Sequence, residues 1–152
     1  MSRAGAQKFF ARIALLAVLV SCASAVADTD KSLDDISPAI AGLLKSSAED
    51  AYLVVSISGT GDFVQLGGYL GTAFLDFPQI TARQQDLRET IESVCSDLGL
   101  TLEITVASNG AEFLDYPLSG SASEMAAIVE QVLIRVYGVV PGTALEFETN
   151  GF

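Results

Sequence analysis

The sequence predicts an α+β domain: an antiparallel sheet of about five to six strands with helices packed against it, in the order α-β-β-β-α-β-β-α-β. Three observations carry this. Two long segments place apolar residues on one helical face and open with capping boxes. Short β-branched or aromatic runs, bounded by glycine, lie outside them and are too short for helices. Asn109-Gly110 separates two alternating runs, the strongest hairpin signal in the chain. A ferredoxin-like β-α-β-β-α-β core at 73–149, preceded by a hairpin, fits the same pattern as an alternative.

The elements follow in order. Ser37-Pro38 marks the first helix, with serine as N-cap and proline at the first helical position; Ile40, Leu43 and Leu44 give its apolar stripe. Residues 52–58 (YLVVSIS) read as a strand, 58–62 (SGTGD) as a glycine turn and 63–66 (FVQL) as a second strand. Gly67, Gly68 and Gly71 then break the chain before a third strand at 73–77 (AFLDF). Thr81 and Gln84 form a T-x-x-Q box opening a helix over 81–98, with Leu87, Ile91, Val94 and Leu98 on one face and Gly99 as its left-handed stop. Leu102, Ile104 and Val106 alternate with polar residues in a half-buried strand, and 113–118 (FLDYPL) returns from the Asn109-Gly110 turn. Ser121 and Glu124 open the last helix. Met125, Ile128, Val129, Val132 and Val136 mark its buried face, and Leu133 and Ile134 widen it enough to imply cover on more than one side. Leu145 and Phe147 alternate with glutamates in a short final strand.

The first 27 residues are of a different kind. A weakly basic start (Arg3, Lys8, Arg12), the apolar run 13–20 (IALLAVLV) and small residues ending in Ala25-Val26-Ala27 make a secretory signal peptide over 1–27. Cleavage falls before Asp28, or before Val26 after Ala23-Ser24-Ala25. The apolar run is too short to span roughly 30 Å of hydrocarbon, so no transmembrane span is expected in the mature chain. Leu19-Val20-Ser21-Cys22 also fits a bacterial lipobox, in which Cys22 is lipidated and 23–37 becomes a tether. The expected organisation is thus signal peptide 1–27, acidic linker 28–36 and a single α+β domain 37–152. Localisation is periplasmic or extracellular, with lipid anchoring to the envelope as the alternative.

Charge and composition narrow the function. Beyond residue 27 there are five basic residues against nineteen acidic ones, a formal charge of −14. That argues against a nucleic-acid partner, which needs clustered Lys and Arg, and favours a basic one. With no histidine in the chain, Ser-His-Asp and Cys-His catalysis and His-ligated zinc are excluded. The glycines precede neither a Walker lysine nor a helix, and the acids lack calcium-loop spacing, so no cofactor or metal is assigned. Cys95, the one cysteine beyond residue 27, has no intramolecular disulfide partner there and reads as a buried apolar side chain.

One internal echo stands out. Phe74-Leu75-Asp76-Phe77-Pro78 recurs as Phe113-Leu114-Asp115-Tyr116-Pro117, and each copy leads through a capped helix and a glycine stop toward another strand. Asp76 and Asp115 are therefore the candidate chemical pair, as acid and base or as cation ligands. Alternation with aromatic neighbours favours a plainer reading: each faces solvent or serves the backbone of the following turn.

The element order, together with Phe63-Val64-Gln65-Leu66, Leu98-Gly99-Leu100 and Val136-Tyr137-Gly138-Val139 followed by Pro141 and Leu145-Glu146-Phe147, resembles the type III secretion chaperone-like superfamily over residues 37–149. The resemblance implies a small α+β protein that holds another polypeptide, often as a homodimer, and brings no catalytic residues. Those chaperones are cytoplasmic, whereas this chain opens with an export signal, so fold and secretion role separate. The resulting expectation is an exported, non-enzymatic protein-binding or chaperone-like module. Leu87, Ile91 and Val94 serve its core or a dimer seam. The alternatives are a carboxylate-dependent enzyme or metal-binding protein using Asp76 and Asp115, and an envelope lipoprotein anchored through Cys22.

Overall fold

The computed structural model describes residues 26–152. Residues 1–25 of the expected signal peptide, Cys22 among them, lie outside the described residues. The predicted class holds: an antiparallel sheet carries helices on one face. It has seven strands rather than five or six, in the spatial order β1-β7-β2-β3-β4-β6-β5. The strands are β1 (Val26–Lys31), β2 (Tyr52–Ile57), β3 (Phe63–Tyr69), β4 (Thr72–Pro78), β5 (Glu103–Val106), β6 (Glu112–Leu118) and β7 (Leu145–Asn150). The α-helices are α1 (Ile36–Lys45), α2 (Ala82–Asp86), α3 (Arg88–Asp97) and α4 (Ala122–Tyr137).

The extra strand is where an acidic linker was expected. Residues 26–31 pair antiparallel with β7, with a shift in register between Asp28 and Lys31 where Asp30 takes φ 62°. The first helix also begins earlier than Ser37. Ser32, not Ser37, makes the cap: its backbone N–H donates to Asp35 Oδ2 at 2.8 Å, opening a 3-10 turn (Leu33–Asp35) that runs into α1. The S-x-x-D spacing of a capping box was present in the supposed linker.

The ferredoxin-like alternative does not describe this sheet. β4 pairs antiparallel with β6, while β7 joins β2, so the β2–β3 hairpin stands between the two halves of the supposed core. The helix predicted over 81–98 is interrupted at Leu87, where ψ flattens to −8°, giving α2 and α3. Its T-x-x-Q box is present: the Gln84 N–H donates to Thr81 Oγ1, and the Thr81 N–H to Gln84 Oε1.

Gly67 and Gly68 do not break the chain; they are inside β3. The ring of Phe74 lies across Gly67, where an added Cβ would come within 2.1 Å of it. Gly68 lets Leu43 of α1 approach the sheet, and a Cβ there would meet the Leu43 side chain at 2.5 Å. The turn is instead Leu70-Gly71, both at positive φ (47° and 82°), the type I′ geometry of a two-residue hairpin. Conversely, Asn109-Gly110 is not a two-residue turn. Only Gly110 has positive φ, and Ala107 and Ala111 close a longer loop through the Ala107 N–H to Ala111 O bond at 2.8 Å.

Alternation along the strands sends Leu53, Val55, Val64, Leu66, Leu75, Phe77, Leu114, Tyr116, Leu145 and Phe147 to the helix-bearing face. Ile36, Ile40 and Leu43 of α1, Ile91, Val94 and Cys95 of α3, and Met125, Val129, Val132, Leu133 and Val136 of α4 close over them. Each such burial is worth roughly 1.5–3 kcal/mol before chain entropy is set against it. Helix α4 lies between α1 and α3, which accounts for its wide apolar stripe; Ile134, on its outer side, remains exposed. Gly138, at φ 72°, ends it with a left-handed cap.

Two substitutions test these backbone readings by urea denaturation. Leu70→Asn relieves a left-handed leucine that is exposed, and should stabilise the fold by about 0.5–1 kcal/mol. Gly68→Ala should destabilise it by about 1–3 kcal/mol, since Leu43 is fully enclosed and has nowhere to move.

Candidate functional site

The echoed segments lie side by side. β4 and β6 run antiparallel so that Phe74 faces Pro117, Leu75 faces Tyr116, Asp76 faces Asp115, Phe77 faces Leu114 and Pro78 faces Phe113. The pairing is close to symmetric about the two aspartates. On the helix side it makes an edge-to-face contact between Phe77 and Tyr116, with ring centroids 5.9 Å apart. On the other face it makes a polar row across four strands: Gln65 (β3), Asp76 (β4) and Asp115 (β6), with Glu103 of β5 directly opposite Asp115 and Thr105 reaching it diagonally.

Asp76 and Asp115 lie on the face away from the helices, as alternation predicts, but they are buried and not in solvent. Although no helix covers it, Gln65, Asp76 and Asp115 are 0%, 2% and 8% exposed. Phe74 and Pro78 flank Asp76 along β4, and Phe113 and Pro117 flank Asp115 along β6; Phe74 and Phe113 are themselves buried. Nor do the acids serve turn backbones. Gln65 Nε2 donates to Asp76 Oδ2 at 3.1 Å, and Thr105 Oγ1 donates to Asp115 Oδ2. Asp76 Oδ1 and Gln65 Oε1 are buried without a hydrogen-bond partner.

Burial raises Asp76 well above the usual carboxylate range, and the charge of Asp115 adds to this. Asp115 is pushed up to about 6 by burial; the Thr105 hydroxyl works against that shift and the Glu103 charge with it. Neither carboxyl takes part in an ion pair with a described Lys or Arg. Among the described residues no group of three His, Cys, Asp or Glu side chains is arranged to hold a metal.

Asp76 and Asp115 are thus the sequence-predicted residues that the fold brings together. Ile91 and Val94 are buried in the core, and Leu87 packs half-buried against it at the α2–α3 break. Cys95 is fully buried, and its thiol is pushed up to about 12. Sequence reasoning did not single out Gln65 or Thr105. The available signal was a polar residue inside each apolar strand run.

A cleft of about 380 Å³ opens at one end of the sheet, between the β2–β3 turn, the end of β4 and the α2–α3 break. Phe63, Phe77, Pro78, Leu87 and Ile91 line it, and Arg83 and Asp62 pair across its lining at 3.0 Å. Neither carboxyl of the buried row lines it.

The two ends of the sheet differ. At one, β1 is bulged and carries Asp28, Asp30 and Lys31, features that discourage further strand pairing. At the other, β5 carries Ile104 and Val106, 48% and 57% exposed. The Ala107 N–H bond to Ala111 fixes the ladder phase, so Glu103 and Thr105 turn their backbone groups to β6 while Ile104 and Val106 turn theirs outward. Four of the five described cations are held in ion pairs: Lys31 with Asp28, Arg83 with Asp62, Arg88 with Glu92 and Glu112, and Arg135 with Asp97. The surface is left strongly anionic. No helix among the described residues is long and apolar enough to cross a membrane.

No protein-family model, curated protein or solved structure matches this chain.

The two neighbours of Asp115 should move its titration in opposite directions. Thr105→Val removes a donor to the ionised form, so the Asp115 midpoint rises above about 6; Glu103→Gln removes a like charge, so it falls. Carbon-detected NMR titration of the Asp115 side chain reads both.

Proposed function

We propose that this chain is an exported, non-enzymatic binding module of the cell envelope that holds an extended, cationic segment of another polypeptide along the free edge of β5. The observation that carries the reading is the state of that edge: Ile104 and Val106 present exposed β-branched side chains and outward-turned N–H and C=O groups together. An added strand satisfies the backbone groups and gives alternate side chains an apolar contact. Charge selects the partner. Glu103 is exposed on the same strand, and the excess of acid over base favours lysine- and arginine-rich segments over acidic ones.

The leader is compatible with this reading. Cleavage before Val26 leaves β1 whole, whereas cleavage before Asp28 removes its first two residues. In the lipoprotein route the tether between Cys22 and β1 shrinks from the expected 23–37 to residues 23–25, which would hold the domain close to the membrane. The resemblance to the secretion chaperone-like superfamily is in keeping with a protein that holds another chain and performs no chemistry on it.

A short peptide alternating lysine and valine should bind at low salt and bind more weakly as salt rises. Val106→Pro should abolish binding while leaving far-ultraviolet circular dichroism and urea stability close to wild type, because the lost N–H faces away from β6. Peptide binding unchanged in the proline variant would overturn the edge as the site. Self-association that strengthens with salt and is lost in the same variant would replace the cationic partner with a second copy of the chain.

A further inference from the structure

We propose that Asp76 is a proton-binding site: it is a neutral carboxylic acid at physiological pH, carries its proton on Oδ1 and donates it to Gln65 Oε1. The two side chains already share one hydrogen bond, from Gln65 Nε2 to Asp76 Oδ2 at 3.1 Å. The other oxygen of each, Asp76 Oδ1 and Gln65 Oε1, is buried and unsatisfied. Both are acceptors, so with an ionised carboxylate each loses its water contacts and gains nothing in return. One proton on Oδ1 supplies the missing donor and satisfies both atoms, closing the acid–amide pair into a ring with two hydrogen bonds.

The surroundings favour the same state. β6 places Asp115 directly across from Asp76, and β5 places Glu103 directly across from Asp115. β3 contributes Gln65, with Phe63 and Gly67 on either side of it, none of them charged. The helices pack on the opposite face, and Arg88 is committed there to Glu92 and Glu112. Ionised Asp76 would therefore face a second carboxylate with no described lysine or arginine paired to it. Thr105 donates to Asp115, not to Asp76, so the row has one position suited to a charge and one suited to a proton.

The consequence is a folded state that becomes less favourable as pH rises. In the unfolded chain Asp76 ionises near the ordinary aspartate value of about 4, while in the folded chain it keeps its proton. Over the interval in which only the folded form is protonated, the folding equilibrium constant falls about tenfold per pH unit. Asp115 adds a similar fall only up to about 6, so between about pH 6.5 and 8 the slope belongs to Asp76.

The direct test is the side-chain carboxyl carbon of Asp76 in labelled protein, followed by NMR from about pH 5 to 9. The protonated chemical shift should persist through neutrality; an ionised shift at pH 7 overturns the proposal. Asp76→Asn gives a second reading, because the asparagine amide donates to Gln65 Oε1 and accepts from Gln65 Nε2 as the acid does. The variant should be more stable than wild type at pH 7, by roughly tenfold or more in the folding equilibrium constant, and should lose the wild-type slope between about pH 6.5 and 8. A folded variant that keeps that slope also overturns it. If the variant fails to fold, the carbon titration of the wild-type chain decides alone. Neither measurement involves the β5 edge, so the outcome is separate from peptide binding.

Discussion

Where β4 lies against β6, the same ten residues make both faces of the sheet. Leu75, Phe77, Leu114 and Tyr116 point into the helix-covered core, while Phe74, Asp76, Phe113 and Asp115 point the other way, with prolines at the ends. Antiparallel pairing forces this, because residues directly opposite share a face and every second residue changes it. A one-residue slip would carry the aspartates into the apolar core and the leucines out of it, so burial on both sides holds the register. The β2–β3 hairpin extends the sheet on the β4 side, and β5 is carried on the β6 side.

The polar row shows what happens when a second sheet face is covered by its own side chains and not by another layer. Phe74 folds over Gly67 and is itself buried; the acids beside it are sealed without pairing to any described lysine or arginine. Two carboxyls in that setting separate in behaviour according to their neighbours. Asp115, nearer the edge and bonded by Thr105, is pushed up to about 6, while Asp76, at the centre, is raised well above the usual carboxylate range by burial and by the Asp115 charge. The two sheet edges diverge in a comparable way. A bulge and charges blunt β1, whereas β5 is short, β-branched and open.

Much of this fold was legible in the chain because it is set by local chemistry. The helices over 82–97 and 122–137 were marked by reciprocal caps and a repeating apolar face, and the strand cores by alternation. The misreadings have particular causes. Gly67 and Gly68 looked like breakers, yet each is a place where Phe74 or Leu43 needs the space of a missing side chain. Residues 28–31 looked like a solvated linker because an edge strand needs only one partner and little apolar surface; its partner, β7, is more than a hundred residues away. Ser32 and Asp35 were passed over because acidity was read as solvation, although a carboxylate three residues after serine is also a cap. Gln65 and Thr105 acquire significance only once four strands are laid side by side.

Periodicity, capping and turn chemistry were sufficient for the class of fold and for the helical faces, since these arise within a few residues of chain; the recurrence of one short segment picked out Asp76 and Asp115. Strand order, the burial of the acid face, the open edge of β5 and the two unsatisfied oxygens were decided by packing among segments distant in sequence. Alternation says which side of a strand a residue takes, but not what lies above it. That depends on which strands become neighbours and on whether a ring such as that of Phe74 finds a glycine to lie across.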